Sequence, residues 1–311
     1  VLPELIKGIR TQTRLAISQG ITLIENSRED GQELLENLFQ YTGNTYRIGI
    51  TGPPGAGKSS ITNNLISLYR QNGKKVAVIA VDPTSPFSGG ALLGDRIRMT
   101  SHYSDPHVFV RSMATRGGQG GLSLKSQEVS EVFDAAGFDI IIYETVGVGQ
   151  LELDVMQASD TVVVVLVPES GDVVQMLKAG LMEIGNIFAI NKADRPGANK
   201  FMTALNNILT NHNMEGEIWM PQVVNTIATE NKGTKKMYNA IESHQTFIYK
   251  QGIQTQKMDE RYKNCIIDLI TGQYMNSFWN DQNMSRLNNE LDKEYCKRES
   301  PHKLVNELMN L

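Results

Sequence analysis

The chain has 311 residues, 40% hydrophobic and 21% charged, an ordinary globular composition that excludes collagen-like, disordered and low-complexity classes for the chain as a whole. Its 30 basic and 34 acidic residues give a formal charge of −4, and neither end conceals a basic patch: residues 1–46 carry 4 basic and 6 acidic side chains, residues 251–311 carry 8 and 9. No nucleic-acid or membrane partner is therefore expected. Two cysteines, Cys265 and Cys296, cannot build a disulfide framework and lack metal-ligand spacing, and apolar runs such as Thr161 to Pro168 are too short to span a bilayer. A soluble, cytoplasmic protein is the expectation.

Residues 1–46 show apolar residues at helical spacing, Ile17, Ile21 and Ile24, then Leu34, Leu35 and Leu38, which predicts two or three short helices. From Arg47 to about residue 250, short runs rich in Val and Ile alternate with helix-length segments: RIGIT (47–51), KVAVIAV (75–81), HVFV (107–110), DIIIY (139–143), TVVVVLV (161–167), NIFAI (186–190) and MPQVV (220–224). Runs apolar at nearly every position fit strands buried on both faces, so this region is expected to be a doubly wound, mostly parallel α/β domain. Residues 251–311 become polar and helical, with narrow stripes at Ile266, Leu269 and Ile270 and at Leu287, Leu291 and Tyr295. This tail either folds back on its own domain or grips a second subunit.

The strand RIGIT runs into GPPGAGKS (52–59), which satisfies G-x-x-x-x-G-K-[ST]; a chance match in this composition has a probability of roughly 1 in 60. Glycines let backbone N–H groups curl around phosphate, and the helix from about Lys58 directs its positive end at the anion. Lys58 reaches the β/γ oxygens and the Ser59 hydroxyl suits Mg²⁺. The nucleotide-binding set here is Gly52, Pro53, Gly55, Ala56, Gly57, Lys58, Ser59 and Ser60. A merely structural glycine loop is the competing reading.

Strand NIFAI delivers NKAD (191–194), which resembles a guanine-recognition motif. Asn191, Lys192 and Asp194 are the candidates, with the Asp194 carboxylate accepting N1–H and N2–H of guanine. Adenine offers neither donor, so a desolvated carboxylate would reject it. GTP and GDP are the expected nucleotides.

Strand KVAVIAV ends in Asp82 and strand DIIIY in Glu144 of ETVGVGQ (144–150); acids at the carboxyl ends of neighbouring parallel strands sit where such sheets bind ligands. Both are candidate magnesium acids, or simply strand-end turn formers. Gly147 fits a γ-phosphate-sensing glycine, which makes Lys58, Asp82, Glu144 and Gly147 the candidate catalytic set. Asp95, in SGGALLGDRIRM (88–99), joins Ser59, Asp82 and Glu144 as a candidate Mg²⁺ residue, and Arg116, in RGGQGGL (116–122), is a candidate switch residue or a surface charge.

VDPTSPFSGGALLGDRIRM, DAAGFDIIIYETVGVGQ, GLMEIGNIFAINKADRPGA, the preceding helices and the polar tail together resemble the MeaB/ArgK family of P-loop GTPases, chaperones of methylmalonyl-CoA mutase and related adenosylcobalamin-dependent mutases. The resemblance implies an N-terminal helical extension (1–46), a P-loop GTPase domain (47–250) and a C-terminal helical dimerisation arm (251–311). It also implies a homodimer, low intrinsic GTP hydrolysis stimulated by a partner, and GTP-gated loading or protection of cobalamin on the mutase. The chain has Leu151 where the family commonly has serine after ETVGVGQ, a segment that includes the candidate switch residue Gln150. In QMLKAG (175–180), Gln175, Lys178 and Gly180 match the family's partner-responsive third switch.

Competing readings are a kinase linked to amino-acid transport and a nickel- or cobalt-inserting GTPase. The first lacks an acceptor motif. The second usually carries His-rich or Cys-containing metal motifs, whereas His102, His107, His212, His244 and His302 are scattered.

Overall fold

The computed structural model describes residues 2–26, 28–83, 102, 104–115, 124–145, 157–168, 181–212 and 219–309. Three helices open the chain: α1 (Leu2–Arg10), α2 (Arg14–Asn26) and α3 (Arg28–Leu38). Then follow β1 (Tyr46–Thr51), α4 (Lys58–Gln71), β2 (Val76–Pro83), β3 (Val108–Thr115), α5 (Leu124–Ala135), β4 (Ile140–Thr145) and β5 (Thr161–Leu166). The short α6 (Leu181–Ile184) precedes β6 (Ile187–Ile190), α7 (Ala198–His212), β7 (Gln222–Asn225) and α8 (Thr234–Lys250). The remainder is helical: α9 (Ile253–Phe278), α10 (Asp281–Leu291) and α11 (Pro301–Leu308).

Among the described residues seven strands form one parallel sheet, in the order β3-β2-β4-β1-β5-β6-β7. Every residue of β1, β4 and β5 is buried, as the unbroken Val/Ile runs require of strands covered on both faces. Alternate side chains enter different cores. Val163 and Val165 pack with Ile48, Ile50, Leu65 and Ile241 under α4 and α8, whereas Val162, Val164 and Leu166 pack with Phe188, Ile190, Leu205 and Leu209 under α7.

The N-terminal helices complete the other face. Ile9, Ile17, Ile21, Ile24, Leu34 and Leu38 share a core with Ile79, Phe109, Phe133 and Tyr143, and burying each such aliphatic side chain is worth about 1.5–3 kcal/mol. The buried Asp134 then fixes the approach to β1, accepting the N–H groups of Gly43, Asn44 and Thr45 at 2.9, 3.1 and 3.2 Å.

Two strands run further than their apolar residues suggest. Val81 pairs with Thr145 and Asp82 with Ala114, so β2 includes Asp82 and β4 includes Glu144. Ladder pairing continues past the last apolar residue because each strand has neighbours on both sides.

The chain divides into two compact units, residues 1–258 and 259–311. The first turns of α9 belong to the first unit, where Lys257 Nζ donates to the Ser159 and Asp160 carbonyls at 3.2 and 2.9 Å. In the second unit, Asn280 and Ser300 cap α10 and α11 by accepting the N–H groups of Asn283 and Lys303. The Lys293 ammonium and the Glu299 N–H hold the buried Glu290 carboxyl below its usual range. The stripe expected through Tyr295 breaks there: α10 ends at Leu291, and Tyr295 starts a separate 3-10 turn, 87% exposed.

Candidate nucleotide site

The site is built at the carboxyl ends of the central strands, where the order reverses around β1 and β4, the position at which open parallel sheets receive ligands. β1 ends at Thr51 and the chain turns at once through Gly52, whose φ is 133°. A Cβ at Gly52 would lie 2.0 Å from the Val165 carbonyl oxygen, and one at Gly57, at φ 96°, would lie 2.2 Å from Asn191 Nδ2. These two positions admit only glycine, because both positive φ and close contact exclude a side chain.

α4 starts at Lys58, immediately after the loop. Lys58 is 7% exposed, and its Nζ donates to the carbonyls of Gly52 and Pro53 at 2.7 and 3.0 Å. The ammonium therefore lies within the curl of the loop. Ala56 is buried, Pro53 half-buried, and Gly55 and Ser60 are exposed. The buried Ser59 hydroxyl donates to Glu144 Oε1 at 2.5 Å, and Glu144 is fixed in the ladder opposite Ile50 of β1 and Ala80 of β2. A hydroxyl and a carboxylate converging from α4 and β4 are hard oxygen donors of the kind Mg²⁺ takes, so the residues present fit that ion.

Asp82 is brought to the same end of the sheet by β2, one position beyond the Val81 and Thr145 pair; its side chain lies outside the described part of the structure. Asp95, Arg116, Gly147, Gln150, Gln175 and Lys178 also lie outside the described residues.

On the far side of the loop, β6 delivers Asn191, and the residues of NKAD separate by environment. Asn191 is 3% exposed. Its Nδ2 donates to the Ala56 carbonyl at 2.8 Å, while its Oδ1 accepts from the Ala228 N–H at 3.0 Å and the Thr226 hydroxyl at 3.3 Å. Lys192 adopts a left-handed φ of 56°, and the Arg195 N–H returns to its carbonyl at 3.0 Å, a turn that leaves Asp194 exposed. Asn191 is thus a brace between loops, and Asp194 is the exposed acceptor of the motif.

Residues that sequence reasoning missed line this brace. Thr226 exchanges backbone bonds with the NKAD strand, its N–H donating to the Ile190 carbonyl at 2.8 Å and its carbonyl accepting from the Ala193 N–H at 3.1 Å. The usable signal was that MPQVV is a strand of the same parallel sheet, so the residues after it fall at the ligand end. Further along, Lys232 is held above its usual range by its ion pair with Glu230, at 2.6 Å, and by the charge of Asp194.

Comparison with known proteins agrees with this geometry. The family model "Methylmalonyl Co-A mutase-associated GTPase MeaB" matches residues 17–283. A protein of Pyrococcus abyssi named as a GTPase is 48% identical over 277 residues, covering 88% of this chain and 85% of its own. GTPase ArgK of Escherichia coli is 36% identical over 264 residues, covering 81% and 78%. The crystal structure of an LAO/AO transport system kinase is similar with a TM-score of 0.73, at 26% identity, over 99% of this chain and 96% of that one. The match to the family model across most of the sequence, on a seven-stranded parallel sheet with this phosphate loop, places the chain in the MeaB family of GTPases.

Proposed function

We propose that the chain binds GTP at the ends of β1, β4 and β6, hydrolyses it, and uses the cycle to gate adenosylcobalamin loading and protection of methylmalonyl-CoA mutase or a related mutase. The observation that carries the nucleotide reading is the joined set of buried groups: Lys58 inside the phosphate loop, Ser59 bonded to Glu144, and Asn191 linking Ala56 to NKAD. The family description supports the mutase.

In this reading the loop N–H groups and Lys58 hold the β- and γ-phosphates, and Asp194 accepts the two guanine donors. Ser59 and Glu144, with Asp82 and Asp95, hold Mg²⁺, which when bound neutralises charge developing on the phosphate oxygens. Water attacks the γ-phosphorus, the bond to the β–γ bridging oxygen breaks, and Lys58 stabilises the charge gathering on the departing GDP. Gly147 and Gln150 follow the γ-phosphate, and Arg116, Gln175 and Lys178 carry the nucleotide state to the mutase.

The proposed organisation is a helical extension (1–46), a GTPase domain (47–250) and a dimerisation arm (251–311) in a cytoplasmic homodimer. Tyr262, Ile267, Ile270 and Tyr274 of α9 are each about half exposed or more, a face suited to a second copy. Among the described residues no helix is long and apolar enough to cross a membrane.

Steady-state phosphate release from GTP, with and without adenosylcobalamin-dependent mutases, tests the proposal. Stimulation by one mutase and not by others is expected; equal rates with every mutase would contradict it. A second reading, a kinase tied to amino-acid transport, is favoured by the likeness to the crystal structure of an LAO/AO transport system kinase. It requires label from the γ-phosphate to appear on an acceptor instead of in free phosphate.

A further inference from the structure

Ala228 is a backbone unit held from both ends by side chains, one from the phosphate-loop helix and one from NKAD. It is 8% exposed and opens the 3-10 turn Ala228–Glu230. Its N–H donates to Asn191 Oδ1 at 3.0 Å, and its carbonyl accepts from Asn64 Nδ2 at 2.8 Å. Because a carbonyl can only accept, the facing atom of Asn64 must be its amide nitrogen. Asn64 stands on α4, almost two turns beyond Lys58, and so moves with the phosphate loop.

The segment held in this way is the wall of the base side. Thr226 bonds the backbone on either side of Asn191, Ile227 closes a bridge with Lys232, and Lys232 lies in the field of Asp194. Removing the Asn64 bond would leave the phosphate loop, Lys58 and Ser59 with every contact described above. It would release the tie from α4 to residues 226–232, leaving that segment held by its bonds to Ile190, Asn191 and Ala193. The Ala228 carbonyl, nearly buried, would keep the Asn231 N–H at 3.3 Å and lose the shorter of these two hydrogen bonds.

We propose that Asn64 is a positioning residue for base recognition: it couples the phosphate-loop helix to the 226–232 wall, and thereby sharpens the preference for guanine over adenine nucleotides. This rests on the guanine reading of Asp194. Asn64 touches neither base nor phosphate in that role and acts through the Ala228 peptide.

The test is equilibrium binding of GDP, ADP and inorganic tripolyphosphate to the full chain and to two variants. Asn64→Ala suits a helix interior and removes the donor. Asn64→Asp keeps the shape and sets an acceptor against the Ala228 carbonyl. The expected result is a GDP-to-ADP preference that shrinks about threefold to tenfold in Asn64→Ala, the worth of one net hydrogen bond. Asn64→Asp should lose at least as much, with tripolyphosphate affinity unchanged in both.

A packing role alone would spare the isosteric Asn64→Asp, and general loosening would weaken GDP and tripolyphosphate together; either result overturns the proposal. So does an unaltered GDP-to-ADP ratio. If the unsubstituted chain itself shows no preference for GDP, the guanine reading fails first and this inference falls with it. A retained wild-type preference with unaffected variants refutes the Asn64 role alone.

Discussion

The two ends of the proposed nucleotide site are built differently. At the phosphate end, Gly52, Lys58, Ser59 and Glu144 are buried and bonded to one another or to the loop backbone. At the base end, Asp194 is exposed on a turn, and order comes from behind it through Asn191, Thr226 and Ala228. In the proposed reading, the buried, self-bonded loop resists change and sets how tightly phosphate is held. An exposed acceptor on a braced turn can discriminate among bases without much influence on the fold.

The sharpest way to break this contrast is at Gly52. A methyl group there would stand 2.0 Å from the Val165 carbonyl oxygen at a φ of 133°, and left-handed strain alone costs on the order of 1–3 kcal/mol before the clash is counted. Gly52→Ala should lower the urea midpoint and abolish nucleotide binding together. A normal midpoint with intact binding would mean the loop is not wedged against β5.

Lys58→Ala should separate binding from folding. Removing a charge-assisted contact of about 1.5–3 kcal/mol lowers GTP affinity roughly ten- to a hundredfold, and calorimetric titration reads it directly. Unchanged affinity would sink the phosphate-loop assignment.

The fold itself carries a smaller, pH-dependent weakness away from both ends. His244 is 2% exposed, its Nδ1 bonded to the Thr161 hydroxyl at 2.6 Å and its ring packed edge-on against Trp219. Burial first, and the charge of Lys257 second, push its pKa down from 6.5 to about 3. The folded state therefore keeps a neutral ring while the unfolded chain takes up a proton below about pH 6.5. Stability is complete above that pH and is lost as pH falls toward 3, at up to about 1.4 kcal/mol per pH unit. Unfolding free energies at pH 7 and pH 5, from urea titrations, should differ by about 2 kcal/mol from this residue, and His244→Asn should flatten the difference. An equal slope in the variant would remove His244 as the cause.

Legibility in the sequence follows the same division. GPPGAGKS is contiguous, so its turn, helix start and buried lysine could be read directly, and unbroken Val/Ile runs announced strands covered on both faces. The Asn64 to Ala228 and Asn191 to Ala228 bonds join positions far apart in the chain, and no local pattern marks a side chain that serves a distant peptide. The N-terminal helices were recognisable from their spacing, yet their place against Phe109 and Phe133 depends on the strand order, which period and composition do not encode. Asp82 and Glu144 were read as the strand-end acids, and β2 and β4 run one residue beyond each of them, because ladder pairing and not hydropathy decides where a strand stops.

Base reading by an exposed Asp194 is tested most directly by competition between GTP and XTP for Asp194→Asn and for the unsubstituted chain. An amide loses the double acceptor that guanine needs and gains a donor for the extra carbonyl of xanthine. The expected result is that the unsubstituted chain prefers GTP and the variant prefers XTP, with XTP held by an intact phosphate loop. A variant that still prefers GTP would contradict the assignment of Asp194 to the base.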